Sequence, residues 1–376
     1  MGDRSKIEWT ESTWNPVTGC TPVSAGCANC YAKREHDRRH KAHLAGKKMA
    51  PQYAEPFEKV QLHPDRLDQP LRWRKPRRIF VCSGSDLFHE DVPIEFLAEI
   101  FDRMACATLS CGKRHEHEDE CWTGDPHTFI LLTKRPERMR WALTEGILNY
   151  AGKHWAGDSP LCVAAEVGAW PLPNVHVGVS VEDQATADER IPLLLATPAA
   201  VRFVSYEPAL GPLDLQETLG LVRNANIGWT PWTTYQKARR GELLDGVICG
   251  GESGPNARPM HPDWARSVRD QCAAAGVSFF FKQWGAWLPG EGEKGSLYDW
   301  QDGTLANALR SGADQVHTWK DARGRSTGTI SNRVGKKAAG RVLDGRTHDS
   351  LPGEAVSQGR SRGLPRGKLL TVEPTK

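Results

Sequence analysis

No run of about 18 apolar residues occurs in the chain, the length a membrane-spanning helix requires. Met1 to Thr10 is charged and lacks an apolar core, so no export signal is expected. No internal repeat of about 20–50 residues appears, which removes repeat architectures. Charge of one sign is not in excess either. Lys+Arg total 49 and Asp+Glu 46, a net charge of +3, so composition alone does not demand nucleic acid. The surplus is concentrated at one end. Residues 333–376 carry ten Lys/Arg and four Asp/Glu, leaving residues 1–332 at about −3. Ten cysteines without an export signal argue against a disulfide framework and for a reducing cytoplasm. At 376 residues the chain can build one large core.

The cysteines that matter first are Cys20, Cys27 and Cys30, spaced C-x6-C-x2-C in a loop rich in Gly, Pro and Ser. No fourth cysteine stands near them, whereas a closed structural zinc site needs four ligands. Thiolates suit zinc or an iron–sulfur cluster. Three thiolates on a [4Fe–4S] cluster leave one iron open, the arrangement used by radical S-adenosylmethionine (SAM) enzymes. Their usual spacing is C-x3-C-x2-C, so the second gap matches and the first is longer. Zinc completed by a distant Cys or His, and cysteines that are merely buried, stay open as alternatives.

A basic helix, Tyr31 to Leu44, is predicted directly after the loop, with Lys33, Arg34, Arg38, Arg39 and Lys41. A second basic cluster, Arg72, Arg74, Lys75, Arg77 and Arg78, surrounds Trp73. Such residues contact phosphates and stack on bases, or simply form a solvated face. Trp9 and Trp14 flank a short strand and are expected around the cysteine loop, or as ordinary core aromatics.

One pattern then recurs. A short apolar run ends in a polar turn at Ile79–Cys82, Phe129–Leu132, Val175–Val179, Val201–Val204, Gly246–Cys249 and Phe279–Phe281. Helical spacing separates several of these runs. Pro93–Thr108 reads as a helix, and so does Pro136–Glu145, closed by Gly146. Asp183–Ala196 reads as a helix broken or kinked near Pro192. His261–Ala275 reads as a helix stopped by Gly276. Alternating buried strands and helices mean an α/β fold with a parallel sheet. Six units plus an N-terminal strand predict a (β/α) barrel, complete or partly open, with a flat doubly wound sheet as competitor. In either, functional groups collect at the carboxyl ends of the strands. Asp86, Lys134, Glu182, Glu207, Glu252 and Lys282 all fall there. The turn Gly250-Gly251-Glu252-Ser253-Gly254 lets backbone approach a ligand and offers a carboxylate, a candidate for the methionine or ribose part of SAM.

Two insertions interrupt the single predicted domain, residues 1–332. One, near 106–125, holds Cys111, His115, His117 and Cys121, a candidate structural zinc site. The other, 218–243, carries Trp229, Trp232 and Tyr235. Gly285 to Asn332 is rich in Gly and polar residues and is expected to fold back as loops. Residues 333–376 are expected to form a basic extension, partly disordered past Pro352.

The ordered series Ile7-Glu8-Trp9-Thr10, Trp14 to Cys20, Gly26 to Tyr31, Ser85-Asp86-Leu87-Phe88, Leu132 to Pro136, Gly178 to Glu182, Glu207-Pro208, Gly250 to Gly254 and Lys282-Gln283-Trp284-Gly285 resembles a phage and prophage family. That family is founded on mycobacteriophage genes 37 and 68 and is treated as a domain of unknown function. The resemblance runs from about residue 5 to about residue 350 and implies a radical-SAM-like barrel in a bacterial host cell. The insertions at 106–125 and 218–243 depart from the compact family pattern, and the long first cysteine gap and the late glycine–glutamate turn depart from the wider radical-SAM pattern. The resulting expectation is a radical-SAM-like enzyme that modifies nucleic acid or a nucleotide precursor. Cys20, Cys27 and Cys30 would ligate the [4Fe–4S] cluster. Ser83, Ser85, Asp86, Glu182, Gly250, Gly251 and Glu252 would contact SAM. Lys134, Glu207 and Lys282 would act catalytically, with Arg135 and Gln283 binding substrate. A cleaved SAM would yield a 5′-deoxyadenosyl radical, with electrons from a reductase or flavodoxin-type donor. The alternatives are a zinc-stabilised nucleic-acid-binding protein, and a barrel hydrolase using Glu182, Glu207 or Glu252 as acid and base.

Overall fold

The computed structural model describes residues 5, 7–107, 126–155, 157, 159–224, 228–231, 243–291, 316–320 and 326–354. Seven parallel strands form its central sheet. In spatial order they are β1 (Ser12–Trp14), β4 (Arg78–Val81), β5 (Thr128–Thr133), β6 (Val175–Val181), β7 (Val201–Tyr206), β10 (Gly246–Gly250) and β11 (Ser278–Gln283). The intervening labels belong to two small antiparallel pairs. These are β2 (Val17–Thr18) with β3 (Gln61–Leu62), and β8 (Leu221–Asn224) with β9 (Gly228–Pro231). The sheet is a half-barrel with edges at β1 and β11, so of the predicted forms the partly open one describes it.

Both faces of this sheet are buried, as a parallel sheet requires. On the inner face, Phe80, Ile130, Phe203, Ile248 and Phe280 close around Trp9 and Leu351. Gly178 makes room here, because a Cβ would lie 2.5 Å from the Phe203 ring. Alternate residues such as Ile79, Phe129, Val177, Val204, Val247 and Phe281 join the outer core. That core is covered by helices α2 (Ile94–Cys106), α6 (Gln184–Leu195) and α7 (Pro262–Ala275). Helix α1 (Tyr31–Leu44) follows the cysteine loop as its spacing predicts. Gly276 ends α7 in the left-handed region at φ 63°, the cap that glycine adopts without steric cost.

Several expectations are corrected. Gly146 does not end a helix. The chain runs from α3 (Pro136–Trp141) through a π-helical turn into α4 (Ile147–His154), followed by α5 (Pro160–Glu166). Gly146 is there for space, since a Cβ would lie 2.9 Å from Ile94 Cδ1. Of the two readings for α6 the break is the one not found: the helix runs through Pro192 to Leu195, and its start is fixed by a reciprocal cap between Asp183 and Thr186. Of the two readings for Trp9 the ordinary core aromatic holds, since it fills the inner core. Trp73 is no base-stacking platform, because Arg77 lies 4.9 Å over its ring and His127 packs edge-on. Residues 287–333 are not simply loops. They supply β12 (Trp287–Glu291), β13 (Val316–Lys320) and β14 (Ser326–Arg333), an antiparallel sheet ordered β12-β14-β13. The polar composition fits a small sheet with a wet face, which shows no long apolar run.

Beyond it, a short helix α8 (Lys336–Ala339) lies against β12, and the segment that follows runs along β11. There Phe281 N–H donates to His348 O at 2.9 Å and Trp284 N–H to Gly340 O at 3.1 Å. The candidate zinc ligands Cys111, His115, His117 and Cys121 lie outside the described residues, as do Trp232 and Tyr235. No described helix is long and apolar enough to cross a membrane.

Candidate functional site

The cysteine loop lies across the carboxyl ends of the central strands. It is held there by side chains from four of them. After β6, Glu182 is fully buried and accepts from Ser24 Oγ of the loop at 2.8 Å. Its other partners are Lys134 Nζ, after β5, and Arg190 Nη1 of α6 at 3.3 Å. Gly26 faces this carboxylate so closely that a Cβ would lie 2.4 Å from Glu182 Oε1.

After β10, Glu252 makes the second tie. Asn29 Nδ2 of the loop donates to it at 3.0 Å, and Arg258 clamps it through Nη2 at 2.6 Å and Nε at 2.8 Å. Burial opposes the charge of Glu252, but the donors from Arg258 and Asn29 win and hold its carboxyl below the usual range. Arg258 also reaches Ala25 O at 3.0 Å.

The third tie runs from β4 and β5. Asp86 accepts from Thr133 Oγ1 at 2.7 Å and from Lys134 N–H at 3.0 Å. Arg135 then links Asp86 to the loop. Its Nη1 lies 3.4 Å from Asp86 Oδ2 and 3.7 Å from Cys20 Sγ, while Nη2 donates to Thr21 Oγ1 at 2.8 Å. Burial pushes the Cys20 thiol up to about 11, helped by Asp86 and opposed by Arg135.

Of the sequence-predicted groups, Asp86, Glu182 and Glu252 are therefore buried and saturated by partners in the chain. Ser83 and Ser85 donate within the chain too, to Asn15 Oδ1 at 3.1 Å and Val17 O at 2.8 Å. Glu207 stands differently. It accepts from Lys282 Nζ at 2.8 Å and Gln283 Nε2 at 3.1 Å, and its side chain keeps 19% exposure. Gln283 Oε1 beside it is buried with no hydrogen-bond partner. Glu207, Lys282 and Gln283 thus form the part of the rim that can still meet a ligand. Gly250 borders it, with its Cβ position 3.2 Å from Glu207 Oε1.

Gly251 has a packing reason to be glycine. Its Cβ would lie 2.1 Å from Trp284 O, and a Cβ on Gly285 would lie 2.1 Å from Glu252 O. The two backbones cross in contact, and neither can yield without moving a strand end. Gly251→Ala should cost about 1–3 kcal/mol of stability, read as a lower urea midpoint with an unchanged slope. No shift in the midpoint would mean the crossing relaxes freely.

The donor chemistry of Cys20, Cys27 and Cys30 fits a thiolate-bound cluster. All three are free and half-buried on one loop. They are not gathered, however. Among the described residues, no group of three or more His, Cys, Asp or Glu is close enough to hold a metal ion. A cluster held by all three would require the loop to close upon it.

A family model described as a protein of unknown function, DUF5131, matches residues 4–352. The chain belongs to this family. No curated protein and no solved structure matches it. The DUF5131 match takes in the cysteine loop, all three strand-end ties and the segment packed on β11 as far as residue 352.

Sequence reasoning missed several members of the site: Ser24, Asn29, Arg190 and Arg258. Arg258 lies six residues beyond Glu252, a spacing with no periodic signature. Arg190 sits on a helix where its charge looks like an ordinary solvated one.

Proposed function

We propose that this chain is an iron–sulfur enzyme of the radical-SAM type, acting on nucleic acid or a nucleotide in the cytoplasm of a bacterial cell that carries a phage or prophage. The observation that supports this reading is the latched loop: three free thiols tied across the carboxyl ends of parallel strands. Cys20, Cys27 and Cys30 would hold a [4Fe–4S] cluster with one iron left for SAM. Bound there and reduced, by a reductase or a flavodoxin-type donor, these groups supply a radical that removes hydrogen from an unreactive carbon.

The chain's own residues bind, orient and shield. Arg135 keeps a guanidinium beside Cys20 Sγ and offsets part of the burial that disfavours the thiolate a cluster would require. Glu182 and Glu252 hold the loop through Ser24 and Asn29, so the thiols are presented over the strand ends. Glu207 and Lys282 share a proton-bearing contact at the open part of the rim and would position the substrate or receive a proton there. Gly250, whose Cβ position lies 3.2 Å from Glu207 Oε1, would border the SAM side, while Ser83, Ser85, Asp86 and Glu252 are engaged within the chain and would act through the loop they hold.

The test is SAM cleavage. Protein purified without oxygen and given SAM and dithionite should form 5′-deoxyadenosine, and Glu207→Gln should retain that uncoupled cleavage. Stoichiometric zinc that resists replacement by iron, with no SAM cleavage, would overturn the reading in favour of a zinc-stabilised binding protein. An oxygen-tolerant hydrolysis lost in Glu207→Gln would favour the hydrolase.

A further inference from the structure

A cavity of about 520 Å³ lies beside the cysteine-loop site, on the far side of the Gly250–Gly254 turn. Its walls come from Arg34 of α1, Ser253 to Pro255 of the turn, Ala286, and Arg333 and Lys336 from the end of β14 and the start of α8. Three of the lining side chains are cationic and none is anionic.

The charges are not neutralised within the wall. Arg34 Nη1 lies 3.4 Å from Ser253 O. Arg333 Nη2 donates to Gly254 O at 3.2 Å and also to Pro255 O. These acceptors are neutral carbonyls, and among the described residues no carboxylate pairs with either arginine. Lys336 Nζ lies 3.5 Å from Glu8 Oε1, a pair at the surface that contributes little. Each guanidinium carries five N–H groups, and these bonds engage one nitrogen of each. Gly254 serves the arrangement: its φ is +115°, and a Cβ would lie 2.1 Å from Arg34 Nη1. A side chain at that position would push the guanidinium out of the wall.

Two planar guanidiniums and an ammonium around one open cavity match a phosphate, which Arg binds through paired N–H groups. We propose that this cavity holds a phosphate of the nucleotide or nucleic-acid substrate, and so makes the phosphate a recognition element separate from the reacting carbon. The proposal rests on the substrate reading above. Arg34 sits one helical turn beyond Cys30, with its N–H on Cys30 O at 3.1 Å. The turn itself presents Glu252 to the loop and Gly254 to the cavity. A phosphate held here therefore keeps its nucleoside adjacent to the strand ends.

The experiment is fluorescence anisotropy of the full chain with a labelled single-stranded DNA oligonucleotide, at several salt concentrations. The Arg34→Gln/Arg333→Gln double variant should bind roughly tenfold or more weaker. Its salt slope should flatten by about 0.7 for each phosphate no longer neutralised. Arg140→Gln, which removes an exposed charge elsewhere, should bind as the wild type does. Lys336→Gln disturbs no contact of the turn and should weaken binding about two- to threefold, so the assignment stands or falls even if the double variant folds poorly. Deoxycytidine monophosphate should displace the strand and deoxycytidine should not. Displacement by the monophosphate at similar concentration marks a free nucleotide as the source of the phosphate; much tighter binding of the strand marks nucleic acid. Equal binding by wild type, Lys336→Gln and double variant, or equal loss in Arg140→Gln, overturns the proposal. Wild-type protein prepared with and without added iron and sulfide should bind the oligonucleotide equally, which keeps this test independent of whether a cluster is present.

Discussion

Cys27→Ala, purified without oxygen and reconstituted with iron and sulfide, is expected to lose nearly all of the iron and the broad absorption near 400 nm that the wild type should show. The wild type should hold roughly four irons per chain. With one of three thiolates gone, the loop offers only two ligands, too few to retain the cluster. The same loss is expected for Cys20→Ala and Cys30→Ala. Cys249→Ala and Cys162→Ala should keep the iron, since Cys249 is buried in the outer core and Cys162 packs at its margin on α5. Iron retained in all three loop variants would remove the cluster from this loop.

Glu182→Ala should be the most damaging single change outside the cysteines. The carboxylate is fully buried and receives Lys134, Arg190 and Ser24. Removing one partner from a buried ionic group leaves the other charges unpaired, at a cost of about 3–5 kcal/mol. Arg190 bears most of that cost: it is 2% exposed and its Nε already lacks a partner. The loss should appear in urea unfolding as a lower midpoint. It should also appear in limited proteolysis as new cleavage within residues 20–30, because Ser24 and Gly26 lose the surface they rest on. Glu182→Gln keeps the shape but turns an amide toward two cations, so it should fall between. A midpoint change below about 1 kcal/mol would mean the site admits water and the charges are screened.

Both predictions join groups that the sequence shows only separately. The cysteine spacing, the basic helix and the six strand-end turns can be read along the chain, because each is a short-range pattern. The reason for a glycine is often not readable. Gly251 looks like a ligand turn, yet the crossing of Trp284 and Gly285 demands it. Gly146 looks like a stop, yet it makes room for Ile94. Trp9 reads either as a neighbour of the cysteines or as a core aromatic, and it closes the inner core. In each case the deciding contact comes from a segment remote in sequence.

By itself, the sequence determined the parallel α/β class, the position of α1 after the loop and the placing of charged residues at strand ends. Strand and helix periodicity, and the polar turn after each strand, are local properties of the chain. Only the tertiary structure decided which charges meet. Ser24 binds Glu182 across 158 residues and Asn29 binds Glu252 across 223. The half-barrel order brings those strand ends under one loop. A buried carboxylate takes whichever donor the neighbouring strand carries, and strand neighbours are set by packing the whole sheet.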